Sequence, residues 1–227
     1  AKQIAAFTTA QAAALSTDQV KALTSTQIAA LGAAALKTID SAELALFSTD
    51  ELAAISDKAI AGLETAALAS LTTDKLAALN TTQVAALSSA QLGALSSAQL
   101  NSLSSDKLGA LSAKQIAGLT TGQIAGLSTG QIASLGAKQV AAFTTAQAAA
   151  LSTAQVEALT SSQIAGLGAA ALKTIDSAEL ALFATDELAA ISDKAIAGLE
   201  TAALASLTTD KLAALNTKQV AALSSAQ

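Results

Sequence analysis

The chain has 227 residues and a formal net charge of −5, from 12 lysines and 17 acidic residues, and it contains no His, Cys, Met, Trp, Tyr, Pro or Arg. The missing His and Cys exclude the commonest general base, the thiol nucleophile and the soft metal ligands. The scattered charges lack the basic patch of a nucleic-acid binder, and the apolar runs are too short for a transmembrane helix.

These exclusions predict a chain with no enzymatic activity. We expect no catalytic, cofactor-binding or metal-binding residues, no cofactor, no nucleic-acid partner and no membrane insertion. The chain does not begin with Met, and we expect it to be a fragment of a longer array or a processed product.

An eight-residue repeat runs through the whole sequence without insertion or deletion. Its consensus is S/T-S/T-A/D-Q-I/L/V-A-A/G-L, with a helix-capping residue at the first position and apolar anchors at the fifth and eighth. The capping residues fall on multiples of eight: Thr8, Ser16, Thr24, Ser48, Ser56, Thr72, Asn80, Ser88, Ser96, Ser104, Ser112, Thr120 and Ser128.

The segment Leu15–Leu23, "LSTDQVKAL", shows how each octad starts a helix. Ser16 is the predicted N-cap, Gln19 completes a capping box, and Val20 packs back on Leu15 as a hydrophobic staple. The next octad, "TSTQIAAL", repeats these signals. The pattern therefore predicts one helix of six or seven residues, about two turns, per octad, followed directly by a sharp corner.

Two other architectures are compatible with an eight-residue period. A single long helix is disfavoured, because octads overshoot two helical turns by about 80° and the anchors would spiral around the helix. A β-solenoid with three octads per coil remains an alternative, although Ala, Gln, Lys and Glu favour helix over strand. The predicted fold is an all-α solenoid of very short helices that forms an elongated superhelix, a single continuous array over 1–227.

The seventh position is almost always Ala, Gly or Ser, which predicts a close approach of neighbouring backbones. Thr38 and Leu46 break this rule, near Gly32, Asp40 and Phe47 where the consensus is weakest. We expect a local irregularity or a contact surface there.

Two features resemble functional motifs but fit the repeat better. Asp50 and Glu51 form an acidic pair, repeated as Asp186 and Glu187, and acids in the first turn of a helix favour its dipole. The glycine-rich segment 120–136, "TTGQIAGLSTGQIASLG", keeps the octad register and contains no phosphate-binding pattern. Neither feature is predicted to be a site.

A long duplication is superposed on the octads. Residues 137–227 repeat residues 1–91 at an offset of 136, which is seventeen octads. The differences are Ile4/Val140, Asp18/Ala154, Lys21/Glu157, Thr26/Ser162, Ala30/Gly166, Ser48/Ala184 and Thr82/Lys218. Only the first falls on an anchor position, and that position stays apolar and β-branched.

The runs "LTTGQIAGLSTGQIASL" (119–135) and "LSSAQLGALSSAQL" (87–100) resemble the short Leu-Ser/Thr-x-x-Gln-Ile repeats of very long bacterial secreted and cell-surface proteins. This resemblance covers the whole chain and implies an extracellular structural or adhesive role without assigning site residues. The predicted function is a stalk, fibre or surface-layer building block that self-associates into a homopolymer or filament, laterally or end to end, or spaces other domains. The alternative is a binding scaffold, either an adhesin or an ice-binding surface that uses the Ser/Thr ladder.

Overall fold

The structure is a computed structural model that describes the backbone of residues 2–227 and the side chains from Gln3 onwards. Its contacts divide the chain into two units, Ala1–Leu119 and Thr120–Gln227. Within residues 2–227 every regular element is an α-helix and none is a strand. The prediction of an all-α solenoid is therefore confirmed, and the β-solenoid is not supported. The single continuous array over 1–227 stays a prediction.

One helix occupies each octad. The helices of the first unit are α1 (Lys2–Ala5), α2 (Thr9–Ala13), α3 (Thr17–Lys21), α4 (Ser25–Ile28), α5 (Ala33–Leu36), α6 (Ser41–Leu44), α7 (Thr49–Ala54), α8 (Asp57–Ile60), α9 (Thr65–Ala69), α10 (Thr73–Ala78), α11 (Thr81–Ala86), α12 (Ser89–Gly93), α13 (Ser97–Asn101), α14 (Ser105–Gly109) and α15 (Ala113–Ala117).

The second unit continues in the same way. Its helices are α16 (Thr121–Ala125), α17 (Thr129–Ser134), α18 (Ala137–Val140), α19 (Thr145–Ala148), α20 (Thr153–Glu157), α21 (Ser161–Gly166), α22 (Ala169–Leu172), α23 (Ser177–Leu180), α24 (Thr185–Ala190), α25 (Asp193–Ile196), α26 (Thr201–Ala205), α27 (Thr209–Ala213) and α28 (Thr217–Ala222).

The helices span four to six residues, which is shorter than the six or seven expected. The difference lies in the last turn, which tightens from i→i−4 to i→i−3 hydrogen bonds. In α3, for example, the Leu23 N–H donates to the Val20 carbonyl at 3.1 Å. This tightening satisfies the last backbone groups at once, so the next helix can start without a loop.

Each corner consists of two successive residues in extended conformation: the eighth residue of one octad and the first residue of the next. Leu79 has φ −60° and ψ 137°, and Asn80 has φ −78° and ψ 170°. No residue in 2–227 has a positive φ. The corners therefore need no left-handed glycine, which explains how Leu and Ser/Thr can occupy them throughout.

The capping box predicted at Ser16 is present. The Ser16 N–H donates to Gln19 Oε1 at 2.8 Å, and the Gln19 N–H donates to Ser16 Oγ at 3.3 Å. Val20 is buried and Leu15 is half-buried, as the staple requires. The same reciprocal bonds form at Thr8, Thr24, Ser48, Asn80, Ser88 and many later octads.

We expect Ser16→Ala to lower the free energy of unfolding by about 1 kcal/mol, because it removes the acceptor for the Gln19 N–H. Ser104→Ala is the matched control, since Ser104 is also an N-cap but its side chain makes no capping hydrogen bond. Urea unfolding followed by circular dichroism measures both. Equal losses in the two variants would contradict this assignment.

Within each unit, helices that pack together are three apart in the chain. The first unit contains pairs such as α4·α7, α7·α10 and α5·α8, and the second contains α18·α21, α21·α24 and α25·α28. Because α4 starts at Ser25 and α7 at Thr49, one superhelical turn takes three octads, or 24 residues. Each unit is thus a solenoid whose turns each contain three helices.

The anchors form the core, as predicted. Ile28, Leu36, Leu44 and Leu52 at the fifth position are fully buried. Phe47 at the eighth position is 1% exposed. Burying such side chains removes apolar surface from water and is the main force that closes the superhelix.

The small seventh position brings successive turns together, also as predicted. A Cβ added to Gly62 would lie 2.2 Å from the Ala33 carbonyl oxygen, and one added to Gly198 would lie 2.1 Å from that of Ala169. Only a residue without a side chain fits at these two places. The exception at Leu46 does not break the octad register; it leaves the Leu46 side chain 41% exposed.

Candidate functional site

The most regular polar feature of the structure is a column of glutamine side chains at the fourth octad position, here called the glutamine ladder. Gln83 is fully buried. Its Oε1 accepts the Asn80 N–H of its own corner at 2.8 Å. Its Nε2 donates to the carbonyls of Leu52 at 2.9 Å and Ile55 at 2.6 Å, and these residues lie in α7 and in the corner that follows it, one turn earlier. One carboxamide therefore caps its own helix and also connects two turns.

The same arrangement recurs with nearly constant geometry in both units. At each glutamine named below, the Nε2 atom donates to the carbonyl 28 residues earlier and to one or two further carbonyls just before it. The pairs at that spacing are Gln91–Leu63 at 2.8 Å, Gln99–Leu71 at 2.7 Å, Gln115–Leu87 at 2.6 Å, Gln155–Leu127 at 2.7 Å, Gln163–Leu135 at 2.6 Å, Gln219–Ile191 at 2.7 Å and Gln227–Leu199 at 2.7 Å.

Other residue types at the fourth position perform only part of this function. Lys75 and Lys107 donate from Nζ to the carbonyls of Ala45 and Ala77 one turn earlier, but a lysine has no acceptor for its own corner. Glu51 does the reverse: its carboxylate accepts the Ser48 N–H at 2.8 Å and has no hydrogen to donate to the turn before.

We expect Gln83→Ala to lower the free energy of unfolding by about 2 kcal/mol, because it leaves buried backbone carbonyls without a donor. Gln19→Ala is the control, since the hydrogen bonds of this exposed glutamine are those of its capping box. It should cost about 1 kcal/mol or less. Chemical denaturation of both variants tests the ladder, and a Gln19 effect as large as that of Gln83 would contradict its role between turns.

No fourth position from Ala35 to Lys75 carries a glutamine, and within this interruption a cleft of about 290 Å³ opens beside Ala67 in the first unit. Lys37, Ile39, Asp40 and Glu64 are among its lining residues. The Lys37 ammonium lies 3.9 Å from a carboxylate oxygen of Glu64, and both side chains are more than half exposed. The cleft therefore carries an ion pair and is accessible to solvent.

The acidic pairs lie where a capping role places them. Asp50 and Glu51 stand in the first turn of α7, and Glu51 accepts the Ser48 N–H there. In the second copy Asp186 also accepts the Ser161 hydroxyl hydrogen at 2.9 Å, which joins α21 to α24. Within residues 2–227 no group of acidic side chains has an arrangement that could hold a metal ion.

The carboxyl group of Glu179, in the second unit, has a pKa above its usual value. Burial raises the pKa of the Glu179 carboxyl above its usual value, against the opposing effect of the hydrogen bond that it accepts from the Asp176 N–H at 3.1 Å. Because the Glu179 carboxyl resists ionisation in the folded state, the free energy of unfolding should fall as the pH rises from the usual pKa of a glutamate to the raised pKa of Glu179.

None of the helices described for residues 2–227 combines the length and the apolar character needed to cross a membrane.

The sequence predicted the hydrogen bonds by which the ladder glutamines cap their own helices. It did not predict the hydrogen bonds that connect successive turns. Capping alone predicts that Glu and Gln interchange freely at the fourth position. Gln instead predominates there and alternates with Lys or Ala as well as Glu. The fourth position thus prefers a hydrogen-bond donor or a small buried residue. That preference was the signal in the sequence from which bonds between turns could have been predicted.

Comparison with known proteins supports the repeat on independent grounds. The model of the ALTTAQ repeat family matches residues 1–33, 60–96, 68–105, 84–121, 103–137, 119–153, 137–169 and 196–227. No curated protein matches the chain. The matches leave out residues 34–59 and 170–195, which are the two copies of the segment where the octad consensus is weakest. Because the matched residues make up well over half of the sequence, the chain belongs to the ALTTAQ repeat family.

Proposed function

We propose that this chain is a structural repeat scaffold: an extended stalk, fibre or surface-layer building block that spaces other domains or self-associates. The glutamine ladder is the observation that carries the proposal. Within each unit its bonds join a corner to the one a turn earlier in nearly the same way, as at Gln83 in the first unit and Gln219 in the second. Repeats can therefore be added without a new kind of interface, so length is the property that this architecture extends most easily.

The polarity of the ladder supports self-association of the scaffold. One side of a turn that carries ladder glutamines offers carboxamide N–H donors, and the opposite side offers corner carbonyls. A turn with no neighbouring turn packed on one of its sides therefore exposes either the carboxamide donors or the corner carbonyls of that side. A second copy carries the complementary surface, so end-to-end contact would reuse the hydrogen bonds that already hold the turns together.

An extracellular or cell-surface location is part of the same proposal, and its support is the resemblance to long secreted repeat proteins. The adhesin or ice-binding alternative depends on exposed Ser/Thr hydroxyls. Many of these, including Thr8, Ser16 and Thr24, accept the N–H of the fourth residue in their octad. Their regular spacing is thus accounted for by helix capping, which favours the scaffold.

Small-angle scattering and electron microscopy of the purified chain test the scaffold. The comparison is with a variant that carries one additional turn, a second copy of residues 88–111. We expect a strong helical circular dichroism signal and a maximum dimension that increases with the added turn. A compact particle whose dimension does not change would contradict the proposal, and thermal hysteresis of ice growth would favour the alternative instead.

Sedimentation velocity tests end-to-end association. The variant replaces the exposed Gln11 and Gln19 and the half-buried Gln27 by alanine. The control replaces exposed residues at the first helical position of the same octads: Thr9, Thr17 and Ser25. We expect the glutamine changes to reduce association and the control changes to leave it unaltered. Association that survives all the changes would argue for lateral contact.

A further inference from the structure

The interruption of the glutamine ladder at Ala67 leaves a specific set of backbone groups without partners. Ala67 is 1% exposed and stands at the fourth position, where a glutamine would fill the space beside it. By the ladder spacing, that glutamine would accept the Glu64 N–H and donate to the carbonyls of Lys37 and Ile39. Among the hydrogen bonds of residues 2–227, none involves any of these three backbone groups.

A cleft borders the place of the missing side chain. Ala59 also stands where a fourth-position glutamine would be. The seventh residue of its octad is Gly62, which lets the backbone approach Ala33 closely. The octad of Ala67 has Ser70 at the equivalent position, and the Ser70 hydroxyl donates back to the Ala67 carbonyl at 2.8 Å. The result is the 290 Å³ cleft, whose lining residues include Lys37, Ile39, Glu64 and Ala67.

The second copy preserves the same set of groups. Ala203 replaces Ala67, and the carbonyls of Lys173 and Ile175 and the N–H of Glu200 take the equivalent places. No hydrogen bond within residues 2–227 involves these three groups either. The Lys173–Glu200 ion pair, at 3.9 Å, has the same length as Lys37–Glu64.

We propose that the cleft at Ala67 binds a primary carboxamide, either a small free amide or a glutamine or asparagine side chain of a peptide. The one donor and two acceptors belong to residues that line the cleft, and a primary carboxamide carries the complementary one acceptor and two hydrogens on a single planar group. An ammonium ion offers no acceptor for the Glu64 N–H, and a carboxylate offers no donor for the two carbonyls. The glutamine ladder uses this same pairing at its other corners.

Nuclear magnetic resonance of the isotope-labelled chain tests the proposal with propionamide, which matches the end of a glutamine side chain. We expect saturable shifts of the Glu64 amide and of the Lys37 and Ile39 carbonyl resonances. N,N-Dimethylpropionamide has no N–H and should bind at least tenfold more weakly. Equal shifts with the two compounds, or no saturable shift with propionamide, would overturn the proposal.

A pair of variants distinguishes the cleft from the general surface. Ala67→Gln supplies the carboxamide from within the chain and should abolish propionamide shifts at Lys37 and Ile39. Ala34→Gln adds the same side chain at an exposed position of α5, outside the cleft lining, and should bind as the unmodified chain does. Circular dichroism verifies that both variants fold. Unchanged binding by Ala67→Gln would overturn the proposal.

A second titration identifies the source of the carboxamide. A capped Ala-Gln-Ala tripeptide that shifts the same resonances, when capped Ala-Ala-Ala does not, supports a peptide side chain as the ligand. Shifts with propionamide alone support a small free amide. If neither compound causes shifts at Lys37 and Ile39, the cleft does not recognise carboxamides and the proposal fails.

Discussion

Insertion of one alanine between Leu87 and Ser88 should lower the free energy of unfolding by at least about 3 kcal/mol. The two residues form one corner that is held from both sides: Gln115 Nε2 donates to the Leu87 carbonyl at 2.6 Å, and Gln91 Oε1 accepts the Ser88 N–H at 2.8 Å. An extra residue separates these two groups, so several hydrogen bonds of about 1 kcal/mol each are lost together with anchor packing.

Insertion of a complete octad at the same place is the control. A second copy of residues 88–95 after Leu87 keeps every anchor and capping residue in register and only moves the later octads to the next face of the solenoid. It should change stability by no more than about 1 kcal/mol, because the anchors of all faces are similar. Urea unfolding and amide hydrogen exchange measure both variants. If the one-residue insertion and the octad insertion changed the free energy of unfolding equally little, the corner would not be the structural unit.

Substitution of Phe47 by alanine is the second change with a large expected effect. Phe47 is 1% exposed in the core of the first unit, and truncating a buried phenylalanine costs about 3–5 kcal/mol through lost burial and the cavity left behind. The second copy allows the same measurement at Phe183, which is buried to the same extent. Chemical denaturation gives the loss directly.

The neighbouring leucine provides a matched control for Phe47. Leu46 is 41% exposed, so Leu46→Ala should change the stability of the isolated chain by only about 0.5 kcal/mol. If Leu46→Ala proved as destabilising as Phe47→Ala, the side chain would have to be buried in an intermolecular contact. Dependence of the loss on protein concentration would establish that contact.

The corners could be predicted from the sequence because their signals are local. Ser16, Gln19 and Val20 lie within five residues of one another, and a capping box depends only on that spacing and on the residue types. The same reasoning identified the buried anchors and the close approach at Gly62. The helices proved shorter than expected because the tightened last turn depends on how sharply the chain bends into the next octad.

The connection between turns could not be predicted in the same way. Gln83 contacts residues 28 to 31 positions earlier, and that distance depends on how many octads complete a superhelical turn. The number of octads per turn results from small backbone rotations at Leu79, Asn80 and their equivalents, which add up over three corners. Residue types restrict those rotations to a region of φ/ψ space without determining their values.

The amino-acid sequence by itself determined the octad, its capping box, its two anchors and the absence of the commonest catalytic and metal-binding side chains, because each depends on residue type and short spacing. Only the tertiary structure decided that three octads make a turn, that Gln83 and its equivalents join successive turns, and that a cleft opens beside Ala67. These features require groups that are distant in the chain to meet, and their meeting depends on the summed geometry of the corners.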